Sequence, residues 1–352
     1  MDELLRAIKP DFSLRVVAAV TTGVVAEASA RHGLRGVEVV ALGRALTAAC
    51  LLTTLARTGE RMRLAMRSSG PLRGLLVDCQ SEGEGPAVLA PRGEGRHAAS
   101  LGLVAAGVVD EPRSTPGTAS FRRLTSDDDP GARRRADLRH GVLGVRGCLQ
   151  RRLTAAEQGC GLTVAAAVGP SGTMTVTRDL GLEQRYQGTV EVVSGEVDRD
   201  LEHYLNVSEQ LPSVLACEVV LGATGTVQRA AGVLVQTFPG GETDGLVQLR
   251  AAIDAGGLTD LLRQDRGCEA LIGFSLGGDT FEAMERSTLQ FRCTCGMERA
   301  RSVVAILGAA DVEALAGEQE RTDVKCEFCG EVYVMTADEL RALAAEIRRG
   351  RS

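Results

Sequence analysis

The chain has 352 residues, a formal net charge of -6, 44% hydrophobic residues, 3% aromatics and no tryptophan. That length can bury a substantial core and carry two or three domains. It contains neither a run of about eighteen apolar residues nor a basic leader before an apolar segment, so no membrane span or secretory signal is expected. Acidic residues outnumber basic ones between 293 and 352, and aromatics are too few for stacking platforms, so a nucleic-acid partner is not expected either.

In chain order, Met1-Asp2-Glu3 opens an acidic, amphipathic start, Leu14 to Val20 reads as a strand, Gly23 to His32 as a helix and Val37 to Leu55 as a strongly apolar helix. Arg61 to Arg67 alternates with period two, Ser68-Ser69-Gly70-Pro71 turns, and Leu72 to Cys79 returns as the second strand of a hairpin. Residues 83–142 are dominated by glycine, proline, arginine and aspartate. They are expected to form a flexible, solvated insertion, with a second binding element as the alternative.

A second hairpin is expected from Gly161 to Val168 and Thr173 to Thr177. Strand Gln187 to Val193, helix Asp198 to Ser208 and strands Ser213 to Leu221 and Thr226 to Thr237 follow. Together these predict an α+β core over 1–239, built of antiparallel sheets with helices. Residues 240–292 read as a helical linker interrupted at Gly240-Gly241, Gly256-Gly257 and Gly277-Gly278, whose short helices must gain stability by docking. In 293–352, Glu298 to Leu307 and Asp311 to Ala316 suggest short helices, Lys325 to Val334 a ribbon turn, and Thr336 to Arg349 a final helix capped by Thr336.

The chemistry concentrates in four of the ten cysteines, Cys293-Thr294-Cys295 and Cys326-Glu327-Phe328-Cys329. Two close thiol pairs separated by a short structured stretch can close an all-sulfur tetrahedron around Zn2+, one ion per chain. The cramped C-x-C pair is unusual for a purely structural ribbon and suggests a second task for the thiols. Cys50, Cys79, Cys148, Cys160, Cys217 and Cys268 stand singly and are expected to be inert core positions. Ten cysteines without export features fit a reducing, cytoplasmic setting.

Gly273-Phe274-Ser275-Leu276-Gly277 matches a hydrolase nucleophile elbow, but His32, His97, His140 and His203 all precede Ser275, and that fold needs its histidine last. No phosphate-binding G-x-x-x-x-G-K-[ST] is present, and no histidine adjoins the cysteine pairs to suggest an open catalytic zinc. No catalytic residue is therefore assigned and the chain is not expected to be an enzyme.

The segment Phe291-Arg292-Cys293-Thr294-Cys295 through Cys326 to Tyr333 resembles the C-x-C and C-x-x-C zinc domain of the heat shock protein 33 family. So do Leu201 to Pro212, with its Ser208-Glu209-Gln210 end, Ala231 to Gln236 followed by Pro239-Gly240, Val176 to Gly181 followed by Tyr186-Gln187-Gly188, and Val145-Arg146-Gly147. Cys148 stands where that family's strand has tyrosine, and Gly296 where serine often follows the C-x-C.

The resemblance implies a redox-regulated, ATP-independent holdase chaperone, zinc-bound and inactive when reduced. It implies that oxidation to Cys293–Cys295 and Cys326–Cys329 disulfides releases zinc and undocks the linker, so that a homodimer holds unfolding client proteins. Because a disulfide across one intervening residue is the more strained, Cys326–Cys329 is expected to form first. A permanent zinc-ribbon interaction module is the main alternative; a thiol oxidoreductase using Cys326 and Cys329 would need a thioredoxin-like βαβ context that this ribbon lacks.

Overall fold

The computed structural model describes residues 1–11, 13–53, 61–82, 139–179, 185–238 and 241–350. The β-rich alternation and apolar runs assemble ten strands into one sheet, in the order β7-β6-β3-β4-β5-β10-β1-β2-β9-β8. They are β1 (Glu3–Ile8), β2 (Leu14–Val20), β3 (Arg61–Ser68), β4 (Gly74–Glu82), β5 (Arg139–Leu149), β6 (Gly172–Asp179), β7 (Arg185–Glu191), β8 (Ser213–Leu221), β9 (Val227–Thr237) and β10 (Glu282–Phe291). Every pairing is antiparallel except β5 with β10.

Strand composition follows from which faces are covered. Along β2, Val17 and Ala19 enter one apolar cluster while Val16, Ala18 and Val20 enter another, so the strand is buried on both faces and reads as an almost continuous apolar run. In β3 only Met62, Leu64 and Met66 are buried, and the intervening arginines keep the period-two signature of a strand covered on one face.

The first face packs on α1 (Thr22–His32), α2 (Val37–Leu52) and α5 (Val197–Val207). Nearly all of α2 is buried, and Gly43 is required there because a Cβ would stand 2.8 Å from both Val25 and Val219. The second face is covered by α6 (Asp244–Asp254), α7 (Gly257–Arg263) and α8 (Cys268–Ser275), with Leu246, Leu249, Leu258, Leu262, Leu271 and Ile272 against β1, β2, β8 and β9.

Three sequence expectations need correction. Gly161 to Val168 contains no strand: α3 (Ala155–Gly159) is followed by α4 (Val164–Val168), whose start is fixed by Thr163 Oγ1 accepting from Ala166 N at 3.2 Å, and β6 pairs with β3 and β7 instead. The short helices expected in 240–292 are present as α6, α7 and α8, but its end is strand β10 inside the sheet. Of β10 only Ser287 and Leu289 are buried, so its apolar signal is faint, and two neighbouring strands supply the order that its own pattern does not. Strand β1 emerges from the acidic start for the same reason, being held between β10 and β2.

The expected insertion lies outside the described residues over 83–138, and its last positions, 139–142, belong to β5. The end of the Val37 helix expected past Thr53 also lies outside them.

Candidate metal centre

Beyond β10 the chain forms α9 (Met297–Ala305), α10 (Ala309–Glu318), hairpin β11 (Arg321–Lys325) and β12 (Val332–Thr336), and α11 (Ala337–Arg349). Thr336 and Glu339 form the capping box that starts α11, with Thr336 Oγ1 accepting from Glu339 N at 3.3 Å. The apolar centre of this module is small: Ala300, Val304, Val312, Ala316, Met335, Leu340, Leu343 and Ala344.

The hairpin register pairs Lys325 with Val332, leaving 326–331 as the turn that presents Cys326 and Cys329. Cys326 N donates to Glu331 O and Gly330 N to Cys326 O, each at 2.8 Å. Gly330 has φ +75°, a left-handed conformation that favours glycine, and a Cβ there would also approach Arg31 O at 3.0 Å. The other pair arrives on the end of β10, which runs parallel to β5 with Phe291 opposite Val145.

The four sulfurs Cys293, Cys295, Cys326 and Cys329 all lie within 4.8 Å of one another, the one such group of metal-ligating side chains among the described residues. Cys293 Sγ stands 3.7 Å from Cys326 Sγ and Cys295 Sγ 3.3 Å from Cys329 Sγ. A metal–sulfur bond of about 2.3 Å gives tetrahedral edges of about 3.8 Å, so the residues expected from the sequence are brought together at a separation fitting a thiolate-bound cation.

Electrostatics divide the four. Burial works against ionising Cys293, but the Cys295 amide and the Arg146 guanidinium outweigh it and bring the thiol down to about 7. Burial pushes Cys326 up, and it pushes Cys329 well up, helped by hydrogen bonding with Cys295, Cys326 and Cys293. Thiols crowded in this way resist joint ionisation unless a cation neutralises them, which is the chemistry of a metal-ligand set.

Outside the sulfurs stand groups that the sequence reading did not assign. Tyr333 donates its hydroxyl to Cys295 Sγ at 3.0 Å, which raises the phenol well above its ordinary range. Arg146 donates from Nη1 to Cys293 Sγ at 3.2 Å and Thr294 Oγ1 at 3.4 Å, and from Nη2 to Asp78 Oδ2 at 2.9 Å. Arg63 completes a row across β3, β4 and β5 by donating to both Asp78 oxygens, at 2.7 and 3.0 Å. The available signal was an arginine inside the otherwise uncharged run Val142–Leu149 of β5, since a buried charge needs a partner. His32 Nε2 lies 3.0 Å from Phe328 O, tying the same knuckle to the end of α1.

Cys50, Cys79, Cys148, Cys217 and Cys268 are buried as expected, and burial raises the thiols of Cys79, Cys217 and Cys268. Cys160 is a correction: it is exposed, just past α3, because that short helix has no buried residue. Cys148 is raised to about 11 by burial, then by Glu327, Asp78 and Cys326. Ser275 is buried in α8 and donates to Leu271 O at 2.8 Å, so it is not on a strand-to-helix elbow. Glu209 of the Ser208-Glu209-Gln210 end accepts from Tyr204 Oη and Arg178 Nη2, each at 2.8 Å, joining α5 to β6.

Known proteins with the same pattern are readily found. The family model described as Hsp33 protein matches residues 2–109 and 128–336. A 33 kDa chaperonin of Geobacter sulfurreducens is 30% identical over 345 residues, covering 97% of this chain and 94% of that protein. One from Thermus thermophilus is 33% identical over 360 residues, covering 99% and 88%. The crystal structure of a Thermotoga maritima 33 kDa chaperonin matches in fold with a TM-score of 0.71, at 24% identity and 98% coverage of both chains.

Proposed function

The chain belongs to the Hsp33 chaperone family, and from that premise we propose that it is a redox-regulated, ATP-independent holdase rather than an enzyme. The observation that carries the reading is the grouping of four cysteine sulfurs within 4.8 Å of one another, beside a module with a small apolar centre. In the reduced protein, Cys293, Cys295, Cys326 and Cys329 would hold one Zn2+ as thiolates. Bound there, the ion would supply folding free energy on the order of 10 kcal/mol to a module of this kind.

Each thiolate pair gives up two electrons when it closes to a disulfide, and one hydrogen peroxide takes them up, with two protons from solvent, to become two waters. Pairing Cys293 with Cys295 and Cys326 with Cys329 removes all four thiolates. The module then loses what stabilised it, and the segment 240–292 loses its tether beyond Phe291, leaving it held by the pairing of β10 with β1 and β5 and by the packing of its helices. Detachment of α6, α7 and α8 would bare the apolar second face of the sheet, including Leu5, Val16, Ala18, Val214, Val233 and Val235. That surface suits unfolding client proteins and a second copy of the chain, giving a homodimer on oxidation. In this reading 1–239 is the chaperone core, 240–292 the responsive linker and 293–352 the redox module, working in a reducing cytoplasm; no helix among the described residues is long and apolar enough to cross a membrane.

The test is zinc content and suppression of client aggregation, measured on one sample before and after peroxide at raised temperature. Zinc near one per chain, falling as activity appears, is expected. Retained metal with unchanged surface hydrophobicity would make the chain a permanent zinc-ribbon interaction module.

A further inference from the structure

We infer that Arg146 is the latch that holds the cysteine module on the sheet and makes that hold depend on the state of the thiols. Arg146 sits in mid-strand on β5, anchored by the nearly buried Asp78, itself fixed by Arg63. Its outer edge reaches two parts of the module at once. Nη1 donates to Cys293 Sγ and Thr294 Oγ1, and the guanidinium carbon lies 4.2 Å from the centre of the Phe328 ring. Phe328 lies between Cys326 and Cys329, and its carbonyl meets His32 Nε2 at 3.0 Å. One planar cation therefore touches both cysteine pairs' segments, a task that its fork geometry and aromatic stacking allow and a lysine could not fully reproduce.

The dependence on redox state follows from the acceptor. A thiolate, free or metal-bound, is a negatively charged acceptor for Nη1, whereas a disulfide sulfur is neutral and weak. Closing the Cys326–Cys329 pair also reshapes the turn that carries Phe328. Either event loosens the module from β5 and leaves Arg146 paired with Asp78, so the core keeps its buried ion pair while the docking is lost. The link to chaperone activation rests on the proposed function above; the docking role does not.

Hydrogen exchange on the reduced, zinc-loaded full chain separates the two. Arg146→Gln and Phe328→Leu should each speed exchange across 293–350 by about tenfold, the scale of one charge-assisted or cation–π contact, with β8 and β9 unchanged and zinc still near one per chain. The double variant should be no faster than the more affected single, because both break the same contact. Arg146→Lys should fall between wild type and Arg146→Gln. Module exchange within about twofold of wild type in Phe328→Leu would overturn the latch even if Arg146→Gln disturbs the core, as would effects that multiply independently in the double variant.

Discussion

The sheet core and the cysteine module solve the problem of stability differently. The core buries apolar side chains on both faces of β1, β2, β8 and β9, with α2 almost wholly enclosed. The module has only eight buried apolar residues, three of them alanine next to the larger Val, Leu and Met, around a two-stranded hairpin and three helices. A centre of that size seldom sustains a fold unaided, and small domains commonly depend on a metal or disulfide staple. The two regions should therefore respond to opposite insults.

The largest effect belongs to the metal. Exchanging Cys293 and Cys326 together for serine should abolish zinc binding and remove on the order of 10 kcal/mol from the module. Circular dichroism should lose the contribution of α9 to α11 while the core melt persists. A module that stays folded without metal would mean that its small apolar centre suffices to hold it. The converse insult is Leu46→Ala in the enclosed α2, where Leu46 is fully buried. It should cost the core about 2–5 kcal/mol in denaturant melts while reduced protein keeps its zinc.

Much of this was legible in the sequence because burial leaves periodic traces. Strands Leu14–Val20 and Ser213–Leu221 were bounded as observed, and the helix cap at Thr336 was recognisable from Glu339 three residues on. The grouping of the four cysteines was legible because two close pairs at this spacing can converge in the way soft-ligand chemistry requires. What was hidden had its cause elsewhere in the chain. Strand β10 owes its order to β1 and β5, and Val164–Val168 becomes a helix because Thr163 caps it. The Arg63–Asp78–Arg146 row exists only once β3, β4 and β5 are in register, so no linear motif could announce it.

That row makes a smaller prediction about acid. Burial alone would raise the Asp78 carboxyl, but hydrogen bonds and charge from Arg63 and Arg146 outweigh it and hold the group below its ordinary range. The unfolded chain binds this proton more readily, so the stabilisation is fully present above the unfolded value near about 3.9 and is lost as pH falls through the folded one. Denaturant melts below about pH 4 should show wild type losing more stability than Asp78→Asn.

Oxidation order is a subtler test, since it concerns rate. The Cys326–Cys329 turn has two spacer residues, whereas the Cys293–Cys295 ring is tighter and Cys293 is held by Arg146. Alkylation and mass spectrometry after mild peroxide should find the 326–329 disulfide first, with 293–295 following on warming. The reverse order would place the first event at the sheet end of the module rather than in its knuckle.

The smallest expected effect is none. Strands β4 and β5 pair directly, Glu82 with Val142 and Gln80 with Gly144, so the stretch between them leaves and re-enters the sheet at neighbouring positions. Residues 110–127 also fall outside the two segments matched by the Hsp33 model. Because β5 begins at Arg139, a deletion should stop short of it. Replacing 84–137 with a short Gly/Ser turn should leave the core melt, the zinc content and the response to peroxide all as in the full chain. A folded core that no longer responds would mean that neither region alone carries the switch and that the segment joining β4 to β5 is a working part of it.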